Sequence, residues 1–411
     1  MTQELPTVLV VYALGSASPA EIMDAADGLC EVVFVADGRQ EHTRSVLAFM
    51  EEMAETYDLA ESSEEGIAAR LAGRVRGITT YSEFVLAETA TLAERLGLPF
   101  HSPEVVGALT DKVRQRSLLN GSGAAPLRQV TVPGPEGFER AVREIGFPVI
   151  IKPARGTASV DVYRCASWAD VRAINPSSQA GAWVVEEMLS PGRNPSSPWL
   201  GDYCSVETAV SHGRCWHFAI VERLPLTAPC RETGFVIPDN LPDDYREQVL
   251  EAAETAIHAV GITTGISHVE VKFTPEGPRV IEVNGRMGGT TGRLLRRGSD
   301  LDPFRLALEI ALGQDVKPRE PVFDRCVLAY RVLPPLRPVT VRAAHMPSWF
   351  RAHPEVWAVD GGVRTGQRLD WRRGGLERMF TVWAETDRPA SLPPVIRALE
   401  RAAADCVEYD D

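Results

Sequence analysis

Residues 265–293 concentrate side chains that can do chemistry. Residues 267–273 and 279–283 alternate apolar and polar around the reversing segment Thr274-Pro275-Glu276-Gly277-Pro278, which predicts a β-hairpin. Side chains two apart on a strand share a face, so His268, Glu270 and Lys272 point one way and Val269, Val271 and Phe273 the other. Beyond the turn, Glu282, Asn284 and Arg286 form the matching polar set. Two carboxylates and an amide oxygen are hard ligands of the kind Mg²⁺ takes, with phosphate oxygens completing its shell. Lys272 and Arg286 beside them suit phosphate or a developing anion. Met287-Gly288-Gly289-Thr290-Thr291-Gly292 then lets backbone approach a ligand closely. The alternative, a solvated hairpin face, accounts poorly for mixed charge this dense ending in a Gly-rich turn.

Other elements must position that face. Apolar runs at 6–12, 31–36 and 75–80 read as buried strands, with helices over about 20–29, 43–73 and 82–96. That alternation predicts a small open parallel sheet. Residues 110–116 open a helix with Thr110 as its N-cap, which places Lys112 in the first turn. A strand at 147–152 ends in Lys152-Pro153 and leads into a small-residue loop at 154–162. Such a loop can fold over phosphates and offer backbone N–H groups, and a plain hairpin turn fits it equally well. Strands follow at 182–185, which runs into Glu186-Glu187-Met188-Leu189, and at 202–210, 216–221 and 326–332. Helices are expected at 244–260, 302–312 and about 394–404. His212, His217 and His258 show no ligand spacing, and Trp349, Trp357, Trp371 and Trp383 read as core.

At 411 residues the chain exceeds one ordinary core, and a net charge of −13 argues against a general nucleic-acid binder. No apolar run is long enough to span a membrane and no basic leader opens the chain, so a cytoplasmic protein is expected. Only Lys112, Lys152, Lys272 and Lys317 are lysines in an otherwise arginine-using chain, and three of them fall in the motifs above. Where lysine persists against such a bias, a compact ammonium is the useful group.

Thr110-Asp111-Lys112, the 147–162 strand and loop, Glu186-Glu187-Met188-Leu189 and His268-Val-Glu-Val-Lys…Ile-Glu282-Val-Asn-Gly-Arg286 together resemble the ATP-grasp superfamily, over roughly residues 75–315. Asp202-Tyr203-Cys204-Ser205-Val206-Glu207 and Arg231-Glu232-Thr233 are similar to segments of L-amino acid ligases and related carboxylate–amine ligases. The resemblance implies an α/β architecture. A pre-ATP-grasp open parallel sheet domain would span 1–107, ATP-grasp subdomains 108–185 and 186–320, and a C-terminal α+β lobe 321–411.

It also implies ATP with two Mg²⁺ ions, for which Mn²⁺ can substitute, and amide formation from a carboxylate and an amine through an acyl phosphate. Lys112 and Lys152 would hold phosphates, and Gly156, Thr157 and Ser159 would belong to a closing loop. Glu186, Glu187, Met188 and Leu189 would form the adenine pocket. Glu270, Glu282 and Asn284 would bind metal. Arg286 would stabilise the acyl phosphate, aided by Lys272, and Glu232 would contact metal or the substrate amine. His268, Gly288, Gly289, Thr290 and Arg293 are substrate candidates. His268 reads equally as a satisfied histidine behind the site, and Arg293 equally as a cap on the turn. The glycine-poor loop puts Asp161 next to the expected phosphates, and Thr233-Gly234-Phe235 lacks the histidine that amino acid ligases often carry shortly after the acidic residue. A homodimer without nucleic-acid or membrane partners is expected. A biotin-carboxylase-like or nucleotide-biosynthesis ligase and a non-catalytic ATP-binding regulator are the alternatives.

Overall fold

The computed structural model describes residues 4–123, 126–177, 181–314, 316, 319–345, 350, 352–404 and 406–410; Lys317 and Trp349 lie outside them. The N-terminal unit alternates β1 (Thr7–Tyr12), α1 (Pro19–Ala26), β2 (Glu31–Ala36), α2 (Glu41–Met53), β3 (Glu55–Asp58), α3 (Glu64–Leu71), β4 (Val75–Thr79) and α4 (Leu86–Leu96). Its four strands form a parallel sheet in the order β3-β2-β1-β4. Strand β3 interrupts what the sequence reads as continuous helix over 43–73. Its Glu-Thr-Tyr-Asp composition suits a half-exposed sheet edge and carries no apolar alternation.

Helices α5 (Pro103–Leu109) and α6 (Lys112–Gly121) lead into the middle of the chain. Asp111, not Thr110, caps α6: its carboxylate accepts from the Val113 and Arg114 amides, while the Thr110 hydroxyl donates to the Val106 carbonyl and finishes α5. Next come β5 (Gln129–Val132), α7 (Phe138–Ile145), β6 (Val149–Pro153), β7 (Tyr163–Cys165), α8 (Trp168–Arg172) and β8 (Trp183–Glu187). They build an antiparallel sheet in the order β5-β8-β6-β7. The expected boundary at 185/186 therefore cuts a strand, and Glu186 and Glu187 belong to this smaller sheet.

The larger sheet begins with β9 (Tyr203–Ser211), β10 (Arg214–Arg223) and β11 (Gly234–Ile237). After α9 (Asp243–Val260) come β12 (Gly265–Thr274) and β13 (Gly277–Asn284), the expected hairpin, and then α10 (Thr291–Gly298) and α11 (Pro303–Ala311). Strands β14 (Cys326–Val332), β15 (Val339–Ala344), β16 (Val356–Gly361), β17 (Arg368–Leu369) and β18 (Phe380–Thr386) precede a last helix, Leu392–Ala404. The order β13-β12-β9-β10-β11-β14-β18-β16 shows that the C-terminal strands continue the same sheet. Pairing β14 against the buried β11 satisfies an edge that would otherwise be left open. Among the described residues no helix is long and apolar enough to cross a membrane.

The N-terminal unit docks directly on the rest. The Tyr81 hydroxyl donates to the Phe304 carbonyl at 2.8 Å, and buried His101 sits 3.0 Å from the Gly285 carbonyl through Nε2. Desolvation holds the His101 ring down at about 4, so it is neutral and its Nε2–H donates to that carbonyl. An unfolded histidine takes up its proton near pH 6.5 and this one resists to about 4, so its contribution is intact above 6.5 and is lost as pH falls through that window. The shift corresponds to about 3 kcal/mol. Thermal unfolding followed from pH 7.5 to 4.5 should show a smaller fall in midpoint for His101→Gln than for the parent chain; equal slopes would remove this assignment.

Candidate active site

The hairpin register decides the site. His268 pairs with Asn284, Val269 with Val283 and Glu270 with Glu282, before a bulge shifts Val271 opposite Val280. Val269, Val271, Phe273, Val280 and Val283 pack into a core with α9, which forces the polar side chains into the opposite face. That face lines a cleft of about 920 Å³ between the two sheets, also bordered by the N-terminal unit and the C-terminal strands. Glu270, Lys272, Glu282, Asn284 and Arg286 all reach it.

Counter-charges meet the charged side chains of that face. Lys112 lies 3.1 Å from Glu282 and donates to the Gly156 carbonyl at 2.6 Å. Lys152 pairs with buried Glu186 at 2.6 Å, and Lys272 with Asp202 at 2.6 Å. Burial would raise the Glu282 carboxyl, but Lys112 and Lys152 outweigh it and hold the group below its ordinary value. Arg286 is gripped by Glu83 of the N-terminal unit at 2.7 Å, and the same carboxylate accepts from the Thr157 hydroxyl at 3.0 Å. Glu83 carries no local sequence signal: it lies 203 residues before Arg286, and only the docking of the N-terminal unit brings it in.

Glu207 is the second residue whose role the sequence conceals. It is fully buried on β9 and accepts from His268 Nδ1 at 2.5 Å, the Gly288 amide at 3.0 Å and the Thr291 hydroxyl at 3.0 Å. His268 Nε2 faces Glu270 at 3.5 Å. Burial would lower the ring, but the two carboxylates raise it to about 9, so His268 stands protonated between them. Desolvation opposes ionisation of Glu207 too, yet His268 and the Gly288 amide bring it to about 2. The ring thus faces a carboxylate at each nitrogen and also borders the cleft.

Glu232 is held by Arg331 at 2.9 Å and Arg223 at 3.2 Å, whose guanidinium groups lie 4.3 and 4.4 Å from the Phe235 ring centroid. Burial opposes its charge, but the two arginines keep it ionised. Arg331 also donates to the Thr290 hydroxyl at 3.3 Å. The C-terminal strands add Asp360 and Trp383, the Trp383 indole donating to Asp360 at 2.6 Å. Trp383 is both core and cleft wall, which a reading of the tail tryptophans as core leaves out. Arg293 does not reach the cleft wall freely; its guanidinium binds Asp360 and stacks on Trp383 and Trp357 at 4.6 and 5.1 Å.

At the opposite end, Glu186, Glu187, Met188 and Leu189 line the cleft as β8 ends. Glu187 is held by Arg128, and the Met188 amide donates to the Pro148 carbonyl. Gly156, Thr157 and Ser159 border the cleft above Lys112 and Lys152. Asp161 does not face that space. It is buried, accepting from the Tyr163 hydroxyl and from the Ser177 amide and hydroxyl, while its own amide donates to the Arg372 carbonyl. The Gly375 amide donates to the Ala158 carbonyl. Ala158, Ser159 and Asp161 adopt left-handed backbone, a strained run that these anchors pin against the C-terminal segment.

Residues 145–293 match the ATP-grasp domain family. The chain is 26% identical over 267 residues to alanine–anticapsin ligase of Bacillus subtilis (strain 168), covering 60% of this chain and 56% of that one. It is 26% identical over 307 residues to carnosine synthase 1 of Gallus gallus, covering 68% and 32%. The chain spans about half the length of the alanine–anticapsin ligases it matches. The L-amino acid ligase from Bacillus licheniformis superposes with a TM-score of 0.74 at 19% identity, covering 100% of this chain and 99% of that one, which shows the shared fold. The chain carries an ATP-grasp domain within an ATP-grasp fold, and in that superfamily it resembles the L-amino acid ligases.

Proposed function

We propose that the chain is an ATP-dependent carboxylate–amine ligase that forms an amide bond between two small molecules and releases ADP and phosphate. The observation that carries this reading is one cleft holding the Glu270–Glu282 pair beside Lys112 together with an arginine cluster around Glu232. Glu270, Glu282 and the Asn284 amide oxygen form a hard oxygen donor set, and Glu282 is ionised, which fits Mg²⁺, or Mn²⁺ in its place. Lys112 and Lys152, resting on carboxylates in this structure, are placed to exchange onto phosphate oxygens. Glu186–Leu189 would border the adenine. Bound nucleotide would supply the phosphoryl group that activates the acid as an acyl phosphate.

The remaining tasks fall to the chain's own side chains. Arg286, fixed by Glu83, is positioned to take the charge that grows as the amine attacks, and Lys272 reinforces the field. The anchored loop at 154–162 keeps water from an activated acid. Glu232 can receive a substrate ammonium and Arg331 a carboxylate, which suits amino acid substrates, and the names of the sequence relatives point the same way. A need for ATP fits a reaction in the cytoplasm.

Phosphate and ADP release from Mg-ATP, screened over pairs of amino acids and related acids, should require both an acid and an amine. Release that depends on bicarbonate instead, or tight ATP binding without turnover for any pair, would reject the ligase reading. Glu282→Gln should lower turnover by about 100-fold or more; retention of the full rate would reject the metal role.

The Gly-rich turn separates two tasks. A Cβ on Gly288 would lie 2.6 Å from the Thr291 hydroxyl, 2.7 Å from His268 Nδ1 and 2.8 Å from Glu207, whereas one on Gly289 meets nothing within 4 Å. Gly288→Ala should therefore destabilise the fold by about 1–3 kcal/mol. Gly289→Ala should leave the unfolding midpoint in place and change the order in which substrates are accepted. An unchanged substrate order in Gly289→Ala would remove this residue from the pocket wall.

A further inference from the structure

A second polar cluster lies away from the cleft, where β10 meets the C-terminal half of α9. Cys215 and His217 stand two apart on the strand, and Glu254 and His258 four apart on the helix, so each pair shares a face. One ligand atom each from Cys215, Glu254 and His258 lies within 4.8 Å of the other two. Cys215 Sγ is 3.8 Å from His258 Nε2, and His217 Nε2 is 3.5 Å from Glu254. We propose that Cys215, His217, Glu254 and His258 form a site for a borderline divalent cation of the Zn²⁺ class, which ties α9 to the large sheet.

The hydrogen bonding around His217 carries the argument. Its Nδ1 is 2.8 Å from the Thr208 hydroxyl, on the paired position of β9. Its Nε2 is buried without a hydrogen-bond partner among the described residues and points at a carboxylate. In the tautomer whose Nδ1–H donates to Thr208, the Nε2 lone pair and the Glu254 oxygens face one another, an arrangement that a shared cation stabilises; in the other tautomer Nε2–H is directed at Glu254 from 3.5 Å. An outer hydrogen bond on the other ring nitrogen is also how a metal-bound histidine is fixed in place. Burial lowers the His217 ring, which favours the neutral ligand form. His258 Nε2 also lies 3.3 Å from the Gly213 carbonyl, a long contact that it would give up on binding. Cys215, Glu254 and His258 already converge, and His217, which stands outside that group against Glu254, would complete a four-coordinate set of structural type by a shift toward it. None of these residues lines the cleft, so the site does not depend on the ligase reading. Helix α9 packs Val249, Ala253, Ala256, Ile257 and Val260 beneath the hairpin, so a cation here would brace the support of the active face. The histidine spacing, silent along the chain, appears only once a strand and a helix are brought together.

The test uses the whole chain, freed of metal with a chelator and kept in excess Mg-ATP to occupy the cleft. Titration with Co²⁺ should give a saturable one-to-one thiolate charge-transfer band and the strong visible bands of four-coordinate Co²⁺, both displaced by Zn²⁺. Cys215→Ser should lose the charge-transfer band, and Thr208→Val, which keeps all four ligands, should bind about tenfold more weakly. Zn²⁺ should raise the unfolding temperature of the parent and not of a Cys215→Ser, His258→Ala double variant. Absence of a thiolate band in the parent, or the same band in Cys215→Ser, would overturn the proposal.

Discussion

Glu270 and Glu282 sit opposite each other across an antiparallel pair, and the rest of the site answers that one constraint. Like charges in facing positions destabilise a sheet unless cations intervene. The register that causes the conflict cannot slip, because a one-residue shift would turn Val269, Val271 and Val283 out of the core. The molecule therefore brings the cations in. Lys112 arrives on Glu282 from the first turn of α6, and protonated His268, braced by Glu207, faces Glu270. A divalent ion arriving with phosphates would let Lys112 move onto the phosphate oxygens.

Three units have to meet for this to work. The hairpin supplies the carboxylates, the small sheet supplies Lys152, and the N-terminal unit supplies Glu83, which touches both Arg286 and Thr157. Glu83 thereby links the 154–162 loop to Arg286. The C-terminal strands close the fourth side. The Arg372 carbonyl and Gly375 amide hold the 154–162 loop, while Arg331 and Trp383 line the cleft. Because β14, β16 and β18 extend the sheet that carries the hairpin, that wall is built on the same layer as the facing carboxylates.

The sequence made the hairpin legible because alternation and turn chemistry are local, and His268, Glu270, Glu282 and Asn284 fall on one face as their spacing requires. The parallel sheet was legible for the same reason at β1, β2 and β4, and hidden at β3, where the edge strand is polar. What stayed out of reach were contacts made by tertiary approach. Glu83 and Arg331 join the site from distant elements, and Glu207 becomes the anchor of His268 only when β9 pairs with β12. Asp161 shows the converse error: its charge and position suggested a clash with phosphates, yet the chain turns it inward onto Tyr163 and Ser177. Arg293 was chemically apt for an anion, and Asp360 with two tryptophans claims it first.

The central claim is that the facing carboxylates are a metal site whose cations enter with the nucleotide. Electron paramagnetic resonance of Mn²⁺, titrated into the chain with a non-hydrolysable ATP analogue, tests this directly. The account predicts two tightly bound ions per chain in the presence of the analogue, with both lost in a Glu270→Gln, Glu282→Gln double variant that still folds. Mn²⁺ binding that ignores the analogue, or that survives loss of both carboxylates, would contradict it.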